Sequence, residues 1–293
     1  MHEADARRIA ARLACWQEPV APEPLPGGIT NWNYLVRHRG ERFVVRVSDD
    51  IPVHQITRAN ELAASRAASA VELSPEVVHH EATALVLRYI DGRTLAPEEI
   101  RERSMLERIL PLLHRCHHEV ERHLRGPVQM FWVFYILRDY AATLRDGGSR
   151  FAAELGRLME IATSLRAAVG SVDIAFCHND LLAGNFIDAG DRLWLIDWDY
   201  AGFNSPLFDL ANLCSNNEAK PAEEAWLLEA YFERSVSAEL VRRYQVMKCA
   251  SLLREAMWGM VSELHSSLDV DYVAYARDYL GRFERALAEL RQA

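Results

Sequence analysis

A chain of 293 residues, half of them hydrophobic, carries enough apolar content for a substantial core and enough length for one large domain or two lobes, which excludes a disordered protein. Its 33 basic against 42 acidic residues leave a net charge of −9 with no basic arm, a balance that disfavours nucleic acid, favours a small-molecule substrate and would help draw in one that is cationic. Five scattered cysteines make neither a disulfide framework nor a zinc knuckle, no apolar run approaches bilayer length, and the first residues lack a basic-then-apolar leader, so the expectation is a cytoplasmic protein without membrane insertion.

In chain order, residues 4–16 carry apolar positions at helical spacing and read as an amphipathic helix ended by the proline-rich stretch 19–26. Gly27 and Gly28, followed by Thr30 and Asn31, precede the first strand; adjacent glycines let backbone amides approach phosphate oxygens, a weak signal by itself. Residues 34–37 and 42–47 are β-prone runs around Arg39-Gly40-Glu41 and predict a hairpin. Arg46 sits mid-strand among Phe43, Val44, Val45 and Val47, where burial of a charge requires an anionic partner unless the strand is an exposed edge. An alanine-rich helix over 56–70 carries Glu61, and a strand over 84–90 ends at Asp91-Gly92.

After Gly92 the spacing turns helical over 97–124, 131–144 and 151–169, resuming from 222 to 285, with no internal repeat. His114, Cys116, His117, His118, Glu121 and His123 cluster on one of these helices. The zinc-protease spacing would need a histidine where Arg122 stands, so the segment reads as a histidine-rich amphipathic surface helix.

The helical run is interrupted by Phe176-Cys177-His178-Asn179-Asp180-Leu181-Leu182-Ala183-Gly184-Asn185-Phe186 and then Leu195-Ile196-Asp197-Trp198-Asp199-Tyr200. Asp180 and Asn185 lie on a loop that Gly184 lets turn tightly, and residues 192–197 read as a buried strand ending at Asp197. The turn signal at 188–191 predicts a hairpin that brings Asp197 back beside Asn185. A carboxylate able to accept a proton, with an amide oxygen and a second carboxylate able to hold Mg2+ on nucleotide phosphates, is the donor set of phosphoryl transfer.

These segments, with Ala201-Gly202-Phe203-Asn204 and Phe208-Asp209-Leu210-Ala211-Asn212, resemble the choline and ethanolamine kinases, within the wider group that includes aminoglycoside phosphotransferases. The resemblance implies an α+β, two-lobed, protein-kinase-like fold, with residues 1–90 as a nucleotide-binding lobe hinged near 89–92 and residues 91–293 as a helical lobe holding the catalytic and acceptor sites. It implies ATP and Mg2+ as cofactors, Asp180 as the proton acceptor, and Asn185 and Asp197 as metal ligands. Gly27, Gly28, Thr30, Asn31, Arg46, Glu61, Tyr89 and Ile90 are expected at the nucleotide. His178 and Asp209 have structural roles, with Asp209 tying the catalytic loop down.

For the acceptor, expected to be a small cationic alcohol, the resemblance favours Tyr200 and Trp258 as aromatic faces and Asp199 as the negative charge; Trp198, Phe203, Trp226 and Tyr231 are further aromatic candidates. The chain departs from the eukaryotic choline kinases at three places: Val261 where a second tryptophan stands, Asn216 where a glutamate follows the Phe-Asp segment, and Leu182 where the catalytic loop has glutamine. Choline, ethanolamine, thiamine and aminoglycosides all stay open as acceptors, as do the oligomeric state and a non-catalytic kinase fold that only binds.

Overall fold

The computed structural model describes residues 1–26, 31–266 and 268–292, so the expected phosphate-contacting Gly27, Gly28 and Thr30 lie outside the described residues. Helix α1 (Glu3–Ala11) is shorter than its apolar pattern. Strand β1 (Glu23–Pro24) pairs antiparallel with β2 (Trp32–His38), which forms a hairpin with β3 (Glu41–Val47). Arg39 and Gly40 turn that hairpin at φ 51° and 80°, the double positive-φ geometry that matches the twist of paired strands. Thr57 caps α2 (Arg58–Ala70) by accepting from Asn60 N. Strands β4 (Val77–Glu81) and β5 (Ala84–Arg88) complete a five-stranded sheet in the order β1-β2-β3-β5-β4. Strand β3 lies inside this sheet and Arg46 is 7% exposed, so the edge-strand alternative for Arg46 is overturned.

Strand β6 (Arg93–Thr94) and the short α3 (Pro97–Ile100) lead into α4 (Arg103–His118), α5 (Val133–Asp146) and α6 (Leu155–Val169). Four three-residue strands follow: β7 (Ala175–Cys177), β8 (Phe186–Asp188), β9 (Leu193–Leu195) and β10 (Gly202–Asn204). They make two small sheets, β10-β7 and β6-β8-β9. Helices α7 (Pro206–Asn216), α8 (Pro221–Phe232), α9 (Ala238–His265) and α10 (Tyr272–Gln292) finish the chain.

Two apolar clusters hold this arrangement. A small one joins Ala6, Ala10 and Leu13 to the inward face of the large sheet through Tyr34, Val36, Val45, Val47 and Val86. The larger one surrounds α9, whose residues 246–262 are buried except Lys248. A helix buried on all sides belongs at the centre of a helical layer, and α5, α6, α7 and α10 pack on it. Helix α2 contributes Ala64, Ala67 and Ala68 to this larger cluster, and Glu61, three and seven residues before Ala64 and Ala68, is buried along with them.

Candidate active site

The catalytic loop is built by pairing at both ends. Strands β8 and β9 pair in the register Phe186↔Leu195, and Ile196 N donates to Asn185 O at 2.9 Å, which sets Asp197 beside Asn185. The turn between them closes where Gly190 N donates to Asp188 Oδ1 at 2.9 Å. Asn179 and Asp197 sit at φ 66° and 68°, a left-handed conformation that Asn and Asp tolerate better than other side chains and that collects at functional sites.

Helix α7 holds the loop from below. The buried Asp209 carboxylate accepts from the backbone N–H of His178 and of Asn179, each at 2.8 Å, and from His117 Nε2 at 3.0 Å. Asn212 accepts from Leu181 N at 2.6 Å and Asn217 from Ala183 N at 3.0 Å. His178 accepts from Asp180 N on Nδ1 and donates from Nε2 to Ile196 O at 2.9 Å, bridging the two catalytic segments with both ring nitrogens in use. His117 is therefore no surface histidine. It is 3% exposed and links Asp209 to the Tyr231 hydroxyl at 2.8 Å, while His114 and His118 stack on Tyr231; His117 lies on the inward face of the amphipathic helix.

One cavity of about 600 Å³ gathers Asp180, Asn185 and Asp197 with Arg46, Tyr89, Ile90, Asp199, Tyr200 and Trp258 on its wall. Val44, Pro75, Leu87 and Ile196 give it an apolar wall at the sheet end. Glu61 stands behind that wall and Asn31 lines an adjoining cavity of about 520 Å³. Arg46 Nη2 donates to Asp197 Oδ1 at 2.8 Å and to Asp199 Oδ1 at 3.2 Å. Its Nε lies 2.9 Å from Glu61 Oε1 in an ion pair without hydrogen-bond alignment. Burial alone would lower the Arg46 pKa, but Asp197, Glu61 and Asp199 outweigh it and the guanidinium is held charged. Arg58 Nη1 donates to Glu61 Oε2 at 2.6 Å and to Asn31 Oδ1 at 2.9 Å. Burial, followed by the Asp199 charge, raises the Glu61 pKa against the pull of the two arginines.

Asp199, expected as the negative charge at the acceptor, is engaged elsewhere. Its Oδ1 faces Arg46 and Arg58, and its Oδ2 accepts from Asn31 Nδ2 at 3.1 Å. The carboxylate beside the aromatic residues is Glu255, at the other end of the cavity. Its Oε2 accepts from the Tyr275 hydroxyl at 3.0 Å and its Oε1 from Arg254 Nη1. Arg254 is 1% exposed, lies 4.2 Å from the Tyr200 ring centroid, and reaches to 3.7 Å from Asp180 Oδ1. Tyr200 and Trp258 are joined by a 2.8 Å hydrogen bond from Nε1 to the phenol oxygen.

Arg254, Glu255 and Tyr275 are absent from the sequence-based set of site residues. The available signal was an Arg-Glu pair set inside the apolar run Ala250 to Val261, where a charged pair must be buried with its partners. Trp226 packs under Arg103, Tyr231 on the α4 histidines and Phe203 on Phe176, and none of these three lines the cavity.

Burial pushes Asp180 up to about 8; Arg254 opposes the rise, and Glu255, Asp197 and Asp199 add to it. Asn185 donates from Nδ2 to Asp180 O at 2.8 Å, which presents its amide oxygen as the group available to a cation. That oxygen with the carboxylates of Asp180 and Asp197 forms a hard-oxygen donor set that fits Mg2+ rather than a thiophilic metal. Among the described residues, the buried trio Cys116, His117 and Asp209 also brings possible ligand atoms together, but His117 and Asp209 are bonded to each other and to the loop backbone.

Residues 23–226 match the family model for choline/ethanolamine kinase. The protein LicA of Haemophilus influenzae is 26% identical over 272 residues, covering 90% of this chain and 79% of that protein. Ethanolamine kinase 2 of Mus musculus is 26% identical over 288 residues, covering 88% of this chain and 74% of its own length. The crystal structure of a choline/ethanolamine kinase family protein from Mesorhizobium loti superposes with a TM-score of 0.77 at 28% identity, covering all of both chains.

Proposed function

The chain belongs to the choline/ethanolamine kinase family, and on that premise we propose that Asp180, Asn185 and Asp197 carry phosphoryl transfer from ATP to the hydroxyl of choline or ethanolamine. The protein is a two-lobed, protein-kinase-like enzyme that uses ATP and Mg2+ to phosphorylate a small amino alcohol. The observation that carries the residue assignment is the single cavity that holds all three oxygen-bearing side chains between an apolar sheet wall and an aromatic acceptor end.

Asp180 orients the acceptor hydroxyl and takes its proton as the oxygen attacks the γ-phosphorus in line. When bound, Mg2+ on Asn185 and Asp197 neutralises the phosphate charge that develops in transfer. Arg46, braced by Glu61, reaches the nucleotide phosphates, while Tyr89 and Ile90 line the base end. Tyr200 and Trp258 stand at the acceptor, and His178 and Asp209 hold the loop in register. Residues 1–90 supply the nucleotide-facing wall and residues 91–293 the catalytic and acceptor groups. Among the described residues no helix is long and apolar enough to cross a membrane, which with the acidic balance and the free thiols supports a cytoplasmic enzyme that meets a cationic small molecule rather than nucleic acid.

Release of ADP from ATP and Mg2+ is to be measured across choline, ethanolamine, other amino alcohols, thiamine and aminoglycosides. Turnover confined to the amino alcohols is expected. Turnover on thiamine or an aminoglycoside alone removes the acceptor assignment, and silence across the panel removes the catalytic one.

A further inference from the structure

Choline presents a quaternary ammonium that donates no conventional hydrogen bond, so its recognition depends on bare aromatic faces. One face each of Tyr200 and Trp258 is already covered here. The Arg254 guanidinium lies 4.2 Å from the Tyr200 ring centroid and 5.6 Å from that of Phe131, in the place a methylated cation would take. His54 stacks on Trp258 at 5.3 Å with 27° between the rings, held there by Tyr140 and Ser262 at 3.1 Å each. This end of the wall also carries the Asp180 and Glu255 carboxylates, with the Tyr275 hydroxyl donating to Glu255, beside what the rings leave uncovered. Position 261, where a second tryptophan stands in eukaryotic relatives, holds a buried valine and supplies no replacement face.

We propose that Arg254 sets acceptor selectivity by occupying the aromatic face that a quaternary ammonium needs, so that the site takes amino alcohols bearing a primary or lightly methylated ammonium in preference to choline. The inference rests on the phosphotransfer reading and narrows its acceptor. A primary ammonium offers three N–H donors to the carboxylate and phenol oxygens that line this end, and needs no ring face. Each added methyl removes a donor and demands volume that the guanidinium fills. Arg254 is held in that position by Glu255, so the pair acts as one gate.

The test follows ADP release along ethanolamine, its N-methyl and N,N-dimethyl derivatives and choline. In the wild-type enzyme kcat/KM should fall with each methyl, ending about tenfold lower for choline, the cost of roughly one lost desolvated cation–π contact. Removal of Arg254 alone would strand the Glu255 charge, so the informative variant is Arg254→Met with Glu255→Gln. That double variant should level the series chiefly by lowering the KM for choline. If it does not fold, the wild-type series together with calorimetric binding of choline and ethanolamine still decides the question. A wild-type kcat/KM for choline equal to or above that for ethanolamine overturns the proposal while leaving phosphotransfer intact; ADP release with no member of the series overturns both.

Discussion

In the proposed mechanism the chemistry turns on Asp180, and its environment sets its pH behaviour. Burial and the neighbouring carboxylates raise its pKa to about 8, so at neutral pH the group is largely protonated in the free enzyme and must lose that proton to act as a base. The kcat/KM of the wild-type enzyme should therefore climb with pH through about 8, and a flat profile between 6 and 9 on that scale would remove Asp180 as the base. The same shift has a stability sign. A carboxyl whose folded pKa is raised stabilises the fold below the ordinary carboxylate range, and that contribution is lost as pH rises through the folded value. Asp180→Asn should thus flatten the loss of stability toward pH 8 in urea titrations. It should also lower kcat by roughly 10²- to 10⁴-fold with little change in nucleotide affinity. Arg46→Ala acts differently: it leaves Glu61 and Asp197 without their shared cation and should raise the KM for ATP strongly. An unchanged KM would take Arg46 out of the nucleotide site.

The catalytic loop shows how a helix imposes geometry on residues that have no regular structure of their own. Asp209 on α7 satisfies the backbone N–H groups of His178 and Asn179, and both would be buried without a partner in Asp209→Ala. Such a loss costs about 1–3 kcal/mol per orphaned group. Because the loop carries Asp180, kcat should fall while the KM for ATP stays near the wild-type value; equal kcat would show that the loop holds itself. Much of this element was legible in the chain. The turn signal at 188–191 and the β-prone residues on either side foretold the hairpin, because local turn chemistry and alternation suffice there. Strand β4 was not foretold: its residues Val77-Val78-His79-His80-Glu81 lie half-exposed on the edge of the sheet, with a register shift, and show no alternation for a pattern to reveal. Arg254 and Glu255 escaped for the opposite reason. On an ordinary helix adjacent charges mark a wet face, and only the burial of α9 on every side, a tertiary fact, turns them inward.

At the scale of the whole molecule, the five-stranded sheet and α2 are bonded to the segments that follow rather than hinged on bare chain. Leu195 N donates to Leu73 O at 2.8 Å, Trp198 Nε1 to Ser74 Oγ at 3.1 Å, and α2 shares the larger apolar cluster. Just past the sheet, Gly92 passes so close to β8 that an added Cβ would stand 2.6 Å from Ile187 Cγ2 and 2.7 Å from Asp188 O. The sheet has its own small cluster, but α2 packs into the larger one, so cutting at residue 90 would expose Ala64, Ala67 and Ala68 at once. Urea unfolding followed by tryptophan fluorescence and by far-ultraviolet circular dichroism should therefore give one coincident transition, and a fragment of residues 1–90 should stay unfolded. ATP with Mg2+, bound across this junction, should move the whole transition upward by about 2.7 kcal/mol at a hundredfold excess over Kd. Two separated transitions, with nucleotide shifting only one of them, would mean that the lobes fold independently and that the cavity forms only when they dock.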